Sequence, residues 1–283
     1  MGCLRGHLVA KPATSPRVSA RCLRSPLLTL AAALVLGGCS GLLLTGNDDR
    51  TVVEDPAPLP PGIVRLSGTT PSSTGCDLDY RLYRPEKTDS RDLVVLGHGF
   101  LRSQERMTDL AVALAVDGVP VVTLDFCNMR PWNGRHVQNA DDMIRVARAL
   151  DAERIVYAGF SAGALAALVA GRNDPKAIGI VTLDLVDAQG IGRRAATGLD
   201  KPLFGLVGEP TNCNAGDNAR GVFALSETAR LRRIAGAGHC DFESPTDSLC
   251  RLLCDDPDST APSQRPSIIA ATKTAVKEML ASG

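Results

Sequence analysis

The sequence predicts an α/β protein whose central, mostly parallel sheet carries helices on both faces. Three observations predict it. Short apolar runs of strand length alternate with helical patterns from about residue 63 onward. Several of these runs are apolar throughout instead of alternating, as strands covered on both sides must be. Hydrophobic residues make up 44% of the 283-residue chain and aromatics only 4%, with Ala, Val, Leu and Gly abundant, which suits close helix–sheet packing.

The elements follow in order. Residues 63–67 and 78–83 open as an antiparallel strand pair, the second alternating with period two. Residues 93–96 (LVVL) form a short strand that ends at Gly97. A helix is predicted over 107–116, a strand over 119–124 and an amphipathic helix over 138–150, with Met143, Ile144, Val146, Ala147 and Leu150 on one side. Residues 154–158 are the next strand, followed by an Ala/Leu helix over 162–170 closed by Gly171. Strands over 178–183, 202–207 and 230–234 and a helix over 268–280 complete one domain, residues 63–283. Ligands of such a sheet lie at the carboxyl ends of its strands.

What precedes residue 63 reads as an address. The first 38 residues contain Arg5, Lys11, Arg17, Arg21 and Arg24 and no acid, and an apolar run over 27–36 ends in Gly37-Gly38-Cys39-Ser40. A basic flank, a short apolar stretch and small residues describe a secretory signal. The run is shorter than the ~20 residues that a membrane-spanning helix needs. Leu36-Gly37-Gly38-Cys39 resembles a bacterial lipobox, which implies lipidation of Cys39 and a membrane anchor; Ser40 then points to the outer membrane if the cell is Gram-negative. Residues 39–62, with Pro56, Pro58, Pro60 and Pro61, are a tether. Without the leader the 31 basic residues fall to 26 against 31 acidic ones, so the body is mildly acidic and nucleic acid is excluded as a partner.

Cysteine usage agrees with export. Of nine cysteines, Cys3, Cys22 and Cys39 belong to the leader and anchor, leaving Cys76, Cys127, Cys213, Cys240, Cys250 and Cys254 for up to three disulfides, with pairing open. A zinc site is the competing reading, but no CxxC pair exists and His is rare, so no metal is expected.

The chemistry is concentrated at strand ends. Gly159-Phe160-Ser161-Ala162-Gly163 follows the strand RIVYA and opens a helix, the setting that a G-x-S-x-G nucleophile elbow requires. Ser161 is therefore the candidate nucleophile. Gly97-His98-Gly99-Phe100 ends an earlier strand, and the backbone N–H groups of Phe100 and Ala162 are the candidate oxyanion donors. His98 precedes the Ser within this loop and reads as loop-orienting. His136 lies in the irregular stretch PWNGRH, so a loop role is the default for it. His239, in Gly236-Ala237-Gly238-His239-Cys240-Asp241-Phe242 after the last strand, is the candidate base. Three carboxylates compete to orient it. Asp184 is preferred because it interrupts an apolar run and needs a partner to offset its desolvation; Glu209 and Asp187 are the alternatives. Asp125 and Phe126 either line the pocket or make a structural turn, and Trp132 either anchors its loop in the core or forms a wall on the substrate side.

In this order and spacing, GHGF, GFSAG, LDLVD and AGHCDFE resemble the α/β-hydrolase fold, and within it the branch of chlorophyllases, platelet-activating-factor acetylhydrolase-like enzymes and polyester hydrolases. In the first two groups the triad acid ends a strand just before an apolar-Val pair, which maps onto Asp184; in polyester hydrolases it follows the next strand, where this chain has Glu209-Pro210. The chlorophyllase motif carries Arg after the Ser, whereas this chain has Ala162. The resemblance spans residues 75–280 and implies a serine hydrolase of small-molecule or polymeric carboxylic esters, working through an acyl-enzyme without metal or organic cofactor. A degenerate hydrolase fold used only for binding, and acyl transfer by the same residues, are the alternatives. Scarce aromatics and the lack of an obvious inserted lid favour an open cleft.

Overall fold

Eight strands pair into one sheet in the computed structural model, which describes residues 58–127, 134–254 and 262–282. They are β1 (Ile63–Pro71), β2 (Asp77–Pro85), β3 (Asp92–Gly97), β4 (Val121–Leu124), β5 (Arg154–Phe160), β6 (Ala177–Leu183), β7 (Leu203–Val207) and β8 (Ala229–Arg233), in the order β1-β2-β4-β3-β5-β6-β7-β8. β2 pairs antiparallel with both β1 and β4, and every pair from β4 to β8 is parallel. The sheet of mostly parallel strands expected from the apolar runs is present, with its antiparallel opening pair.

Strand periodicity divides the core in two. Leu93, Val95, Ile155 and Tyr157 point to one face, where they meet α2 (His136–Ala149), α3 (Ala162–Asn173) and the short α4 (Ile191–Ala196) and α5 (Arg220–Phe223). Val94, Leu96, Val156 and Ala158 point to the other face, under α1 (Thr108–Val116) and α7 (Arg265–Ser282). Both faces are covered, so the central strands gain burial on each side, at about 25 cal/mol per Å² of apolar surface. β8 is different: as an edge strand it keeps only its first and last residues half-buried, and arginines fill much of the rest. Charge at an open edge discourages pairing with another chain. No helix among the described residues is long and apolar enough to cross a membrane.

Two sequence expectations need correcting. Gly171 does not close α3, which continues to Asn173. A Cβ at Gly171 would lie 2.3 Å from Ile180 Cγ1, so the glycine lets the helix settle onto β6 and is not a terminator. The short helices α4, α5 and α6 (Ser248–Cys254) were not foreseen, since seven residues or fewer are too few to display a helical period. The six domain cysteines form three bridges, Cys76–Cys127, Cys213–Cys254 and Cys240–Cys250. The signal, the lipidation residue Cys39, nearly all of the tether and Trp132 lie outside the described residues.

Close packing at Gly171 is testable. Gly171→Ala is expected to lower stability by about 1–3 kcal/mol through overpacking, read as a reduced thermal midpoint. Adding Ile180→Ala should recover part of that loss; strictly additive losses would show that the two positions do not press on one another.

Candidate active site

β5 leads straight into Ser161, and α3 departs from it. The turn puts Ser161 at φ 54°, ψ −115°, a conformation that costs a non-glycine residue roughly 1–3 kcal/mol. Its neighbours have to be small. A Cβ on Gly159 would come within 2.3 Å of the Gly163 carbonyl oxygen, and one on Gly163 within 2.4 Å of the His98 carbonyl oxygen. The G-x-S-x-G pattern is thus a record of backbone crossings. Ser161 donates its own N–H to Leu183 O at 2.9 Å, while its hydroxyl makes no capping bond to the helix that follows.

That hydroxyl faces an imidazole. His239 Nε2 lies 3.2 Å from Ser161 Oγ, and His239 Nδ1 lies 2.6 Å from Asp184 Oδ2. All three side chains are buried, with Asp184 only 1% exposed. Asp184 follows the last residue of β6 with φ 45°, and its Oδ1 accepts the Gly208 N–H at 3.0 Å. Asn214 Nδ2 donates to Asp184 Oδ2 at 3.2 Å and to Glu209 O at 2.7 Å. The Phe160 ring tilts against His239 with centroids 4.7 Å apart. No sequence pattern marks Asn214 or Phe160 as part of the site. Asn214 sits 30 residues from Asp184 in a loop with no motif, whereas Phe160 is inside the elbow and was legible there only as the variable residue.

The other two carboxylates are engaged elsewhere. Glu209 Oε1 accepts the Gly236 N–H at 3.0 Å, and its Oε2 lies 3.5 Å from Arg233 Nη1. Asp187 Oδ1 accepts the Gly192 N–H at 2.6 Å and its Oδ2 lies 3.4 Å from Arg193 Nε. Of the three competitors, Asp184 alone is within hydrogen-bond reach of His239.

The glycine loop after β3 lies over the elbow. Among the described residues, neither the Phe100 N–H nor the Ala162 N–H has a protein acceptor. His98 holds this loop from beneath: Nδ1–H donates to Gly99 O at 2.8 Å, and Nε2 accepts the Phe126 N–H at 3.2 Å. Both bonds fit one neutral tautomer. Burial pushes the His98 imidazole below its ordinary value, against the backbone bond to Gly99 and the charge of Asp125. Asp125 accepts both the backbone N–H and the side-chain amide of Gln104, at 2.7 and 2.8 Å, so its role is that of a structural turn.

Two bridges converge on α6 beside this site. Cys240, next to His239, is joined to Cys250; Cys213, next to Asn214, is joined to Cys254. The sulfurs of Cys240, Cys250 and Cys254 lie within 4.8 Å of one another, but each belongs to a disulfide and offers no thiolate to a metal.

The neutral state of His98 has a consequence for stability. Its folded pKa lies below the unfolded value of about 6.5, so the unfolded chain takes up the proton first. Its contribution is complete above that value and declines as pH falls below it. The thermal midpoint of the wild type is expected to drop from pH 7.5 to 5.5, and less steeply in His98→Asn. Equal slopes in both proteins would remove His98 as the source.

No protein-family model and no curated protein sequence matches the chain. Solved structures do match it. A CIB-like hydrolase from Thermoplasma acidophilum aligns with TM-score 0.59 at 12% identity, over 77% of this chain and 100% of the other. The Pyrobaculum calidifontis esterase aligns with TM-score 0.56 at 17% identity, over 77% and 85%. An alpha-beta serine hydrolase homologue from Coxiella burnetii gives 0.52 at 18% identity, over 62% and 88%. At such identities the likeness carries the fold alone, and together with the strand order and the strand–turn–helix at Ser161 it shows that the chain has the α/β-hydrolase fold.

Proposed function

We propose that this protein is an exported, lipid-anchored serine hydrolase that cleaves carboxylic esters. One observation carries the chemistry: the hydrogen-bonded line Ser161 Oγ, His239 Nε2, His239 Nδ1, Asp184 Oδ2, set on a strained elbow. Ser161 Oγ attacks the ester carbonyl carbon while His239 Nε2 takes its proton. Asp184 accepts the Nδ1–H, which leaves Nε2 as the acceptor and stabilises the imidazolium. The carbonyl π pair moves onto oxygen, where the N–H groups of Phe100 and Ala162 receive the charge. The intermediate collapses, His239 returns the proton to the departing alkoxide, and the acyl group stays on Ser161. Water then attacks the acyl-enzyme with His239 as base, and carboxylic acid and free Ser161 result.

The named neighbours include an esterase and a serine hydrolase homologue, which supports hydrolysis as the reaction class. The finer placement beside chlorophyllases, platelet-activating-factor acetylhydrolase-like enzymes and polyester hydrolases rests on sequence: the motifs GHGF, GFSAG, LDLVD and AGHCDFE, and for chlorophyllases also NARGVFAL over 218–225 and the Cys-containing tail after His239. Export is supported by the basic, apolar leader and by three disulfides, which persist in oxidising compartments. Anchoring rests on Cys39 in its lipobox-like setting.

A fluorophosphonate probe is expected to label Ser161, and a p-nitrophenyl ester chain-length series to give turnover that Ser161→Ala abolishes. Asp184→Asn should lower kcat by about 10⁴-fold, through loss of the correct tautomer, and Glu209→Gln should stay near wild type. A folded protein without a Ser161 adduct would defeat the esterase reading, and the reverse pattern in the two acid variants would move the acid to Glu209. For the anchor, Cys39→Ala should shift the mature protein from the detergent-rich to the aqueous phase on detergent partitioning. Unchanged partitioning would rule out a lipid at Cys39.

A further inference from the structure

We propose that Arg102 and Glu243 form a positioning pair that fixes the spacing between the oxyanion loop and the loop of the base; the assignment rests on the esterase reading above. Arg102 lies two residues after Phe100, and Glu243 four residues after His239. Arg102 Nε donates to Glu243 Oε2 at 2.8 Å, and Nη2 donates to Oε1 at 2.7 Å. Such a fork fixes two distances and a plane at once, which neither an apolar contact nor a lysine does. Glu243 is fully buried and takes a further bond from Thr246 Oγ1 at 2.8 Å. Arg102 Nη2 also lies 2.9 Å from Asp247 Oδ2, which Arg106 approaches to 2.6 Å.

Stability alone does not account for this pair. Taking two charges out of water costs several kcal/mol per ion, and apolar residues of similar volume usually serve as well or better. Its place in the fold does account for it. The Arg102 N–H donates to Gly99 O at 3.2 Å, in a turn that holds Leu101 at φ 55°, so the guanidinium is tied to the turn that presents the Phe100 N–H. Glu243 directly follows the 3₁₀ turn His239–Phe242. Phe160 stands between the two loops, against His239 on one side and close to Gly99 on the other, where a Cβ would meet its ring at 2.8 Å. The fork therefore closes a circuit through Gly99, Phe160, His239, Glu243 and Arg102, across 141 residues of sequence. No hydrogen bond joins either side chain to Ser161, His239 or Asp184 among the described residues, so the pair acts through position. The same two segments are fastened again farther out: Ser244 N–H donates to Arg106 O at 2.7 Å, and Ser244 Oγ donates to Asp109 Oδ2 at 2.7 Å. Removing the fork thus frees the loops without detaching the segments.

The test compares wild type, Arg102→Met, Glu243→Met, the double variant and Arg102→Lys, by thermal unfolding and by steady-state kinetics on the p-nitrophenyl esters. Arg102→Met leaves the buried Glu243 carboxylate without its cation and should lose stability, Glu243→Met leaves Arg102 its Asp247 partner and should lose less, and the double variant should regain most of the Arg102→Met loss. Its kcat should nevertheless stay about 10²-fold down, the order of loss that a misplacement near 1 Å causes. KM should change by less than about threefold, since the interaction matters in the transition state and not in ground-state binding. A purely structural pair would give the double variant wild-type kcat, and that result overturns the proposal. If the double variant folds poorly, Arg102→Lys decides: kcat reduced with KM and thermal midpoint kept supports the fork, and wild-type kcat overturns it. Wild-type protein that neither labels at Ser161 nor cleaves any ester overturns the esterase reading and the pair together. An active wild type beside a fully active double variant overturns the pair alone.

Discussion

Ser161 is held in a backbone conformation that side chains avoid, and much of the architecture around it keeps it there. The hold comes from backbone approaching backbone. Gly159 and Gly163 let the end of β5, the start of α3 and the loop after β3 come closer than any larger residue permits. The Ser161 N–H bonds to Leu183 at the end of β6, which fastens the turn from its other side. Because β5 lies between β3 and β6, the two adjacent strand ends deliver Phe100 and Asp184 to opposite flanks of the same hydroxyl. The order of strands therefore sets the positions of these groups.

Two buried histidines in this small region show how hydrogen bonding separates roles. His98 has both ring nitrogens occupied by backbone, one as donor to Gly99 and the other as acceptor from Phe126. It has no nitrogen left for a substrate or a hydroxyl, and charging it would break a bond. His239 has its Nδ1 occupied by a carboxylate, which leaves Nε2 facing Ser161. The acid is itself supported. Asp184 is buried, and donors from Gly208, Asn214 and His239 offset its loss of water. The buried Asp187 and the partly exposed Glu209 are held by arginines and loop N–H groups of their own. Three carboxylates at strand ends look alike in sequence, and their partners set them apart.

That difference marks where sequence reading stops. Strand and helix alternation, the elbow, the glycine loop and the late His are local patterns, each written in fewer than ten consecutive residues, and they predict the fold and most of the constellation. Sequence ranks Asp184 but does not separate it from its competitors, because the deciding contact is with His239, 55 residues away, and its supporting donors Gly208 and Asn214 are also distant in sequence. The pairing of six cysteines was open for the same reason. Gly171 misled because glycine ends helices and also admits close packing, and only the position of Ile180 tells which. Arg102 and Glu243 left one faint signal, opposite charges a few residues beyond two functional motifs.

The last element of the site has the weakest support from the sheet. Ser161 and Asp184 emerge from strands buried on both faces, but His239 follows β8, an edge strand with a mostly exposed middle. The strand itself gives that loop little, and the loop takes its packing from its own residues: Ile234, Ala237 and Phe242 are buried in the core under α1 and α7. The attachments seen here answer that deficit from outside the sheet. Cys240 is bridged to α6, and α6 is bridged in turn to the loop of Asn214, so one short helix steadies both His239 and the neighbour of Asp184. The Gly238 N–H bonds to Asp241 Oδ2 at 3.1 Å within the turn, and Glu243 ties its far end to the oxyanion loop. Covalent bridges and a buried ion pair gather at the one element of the candidate site that follows an edge strand. In an oxidising compartment the bridges endure, and the three buried groups of the line keep their distances although only two of them leave strands covered on both faces.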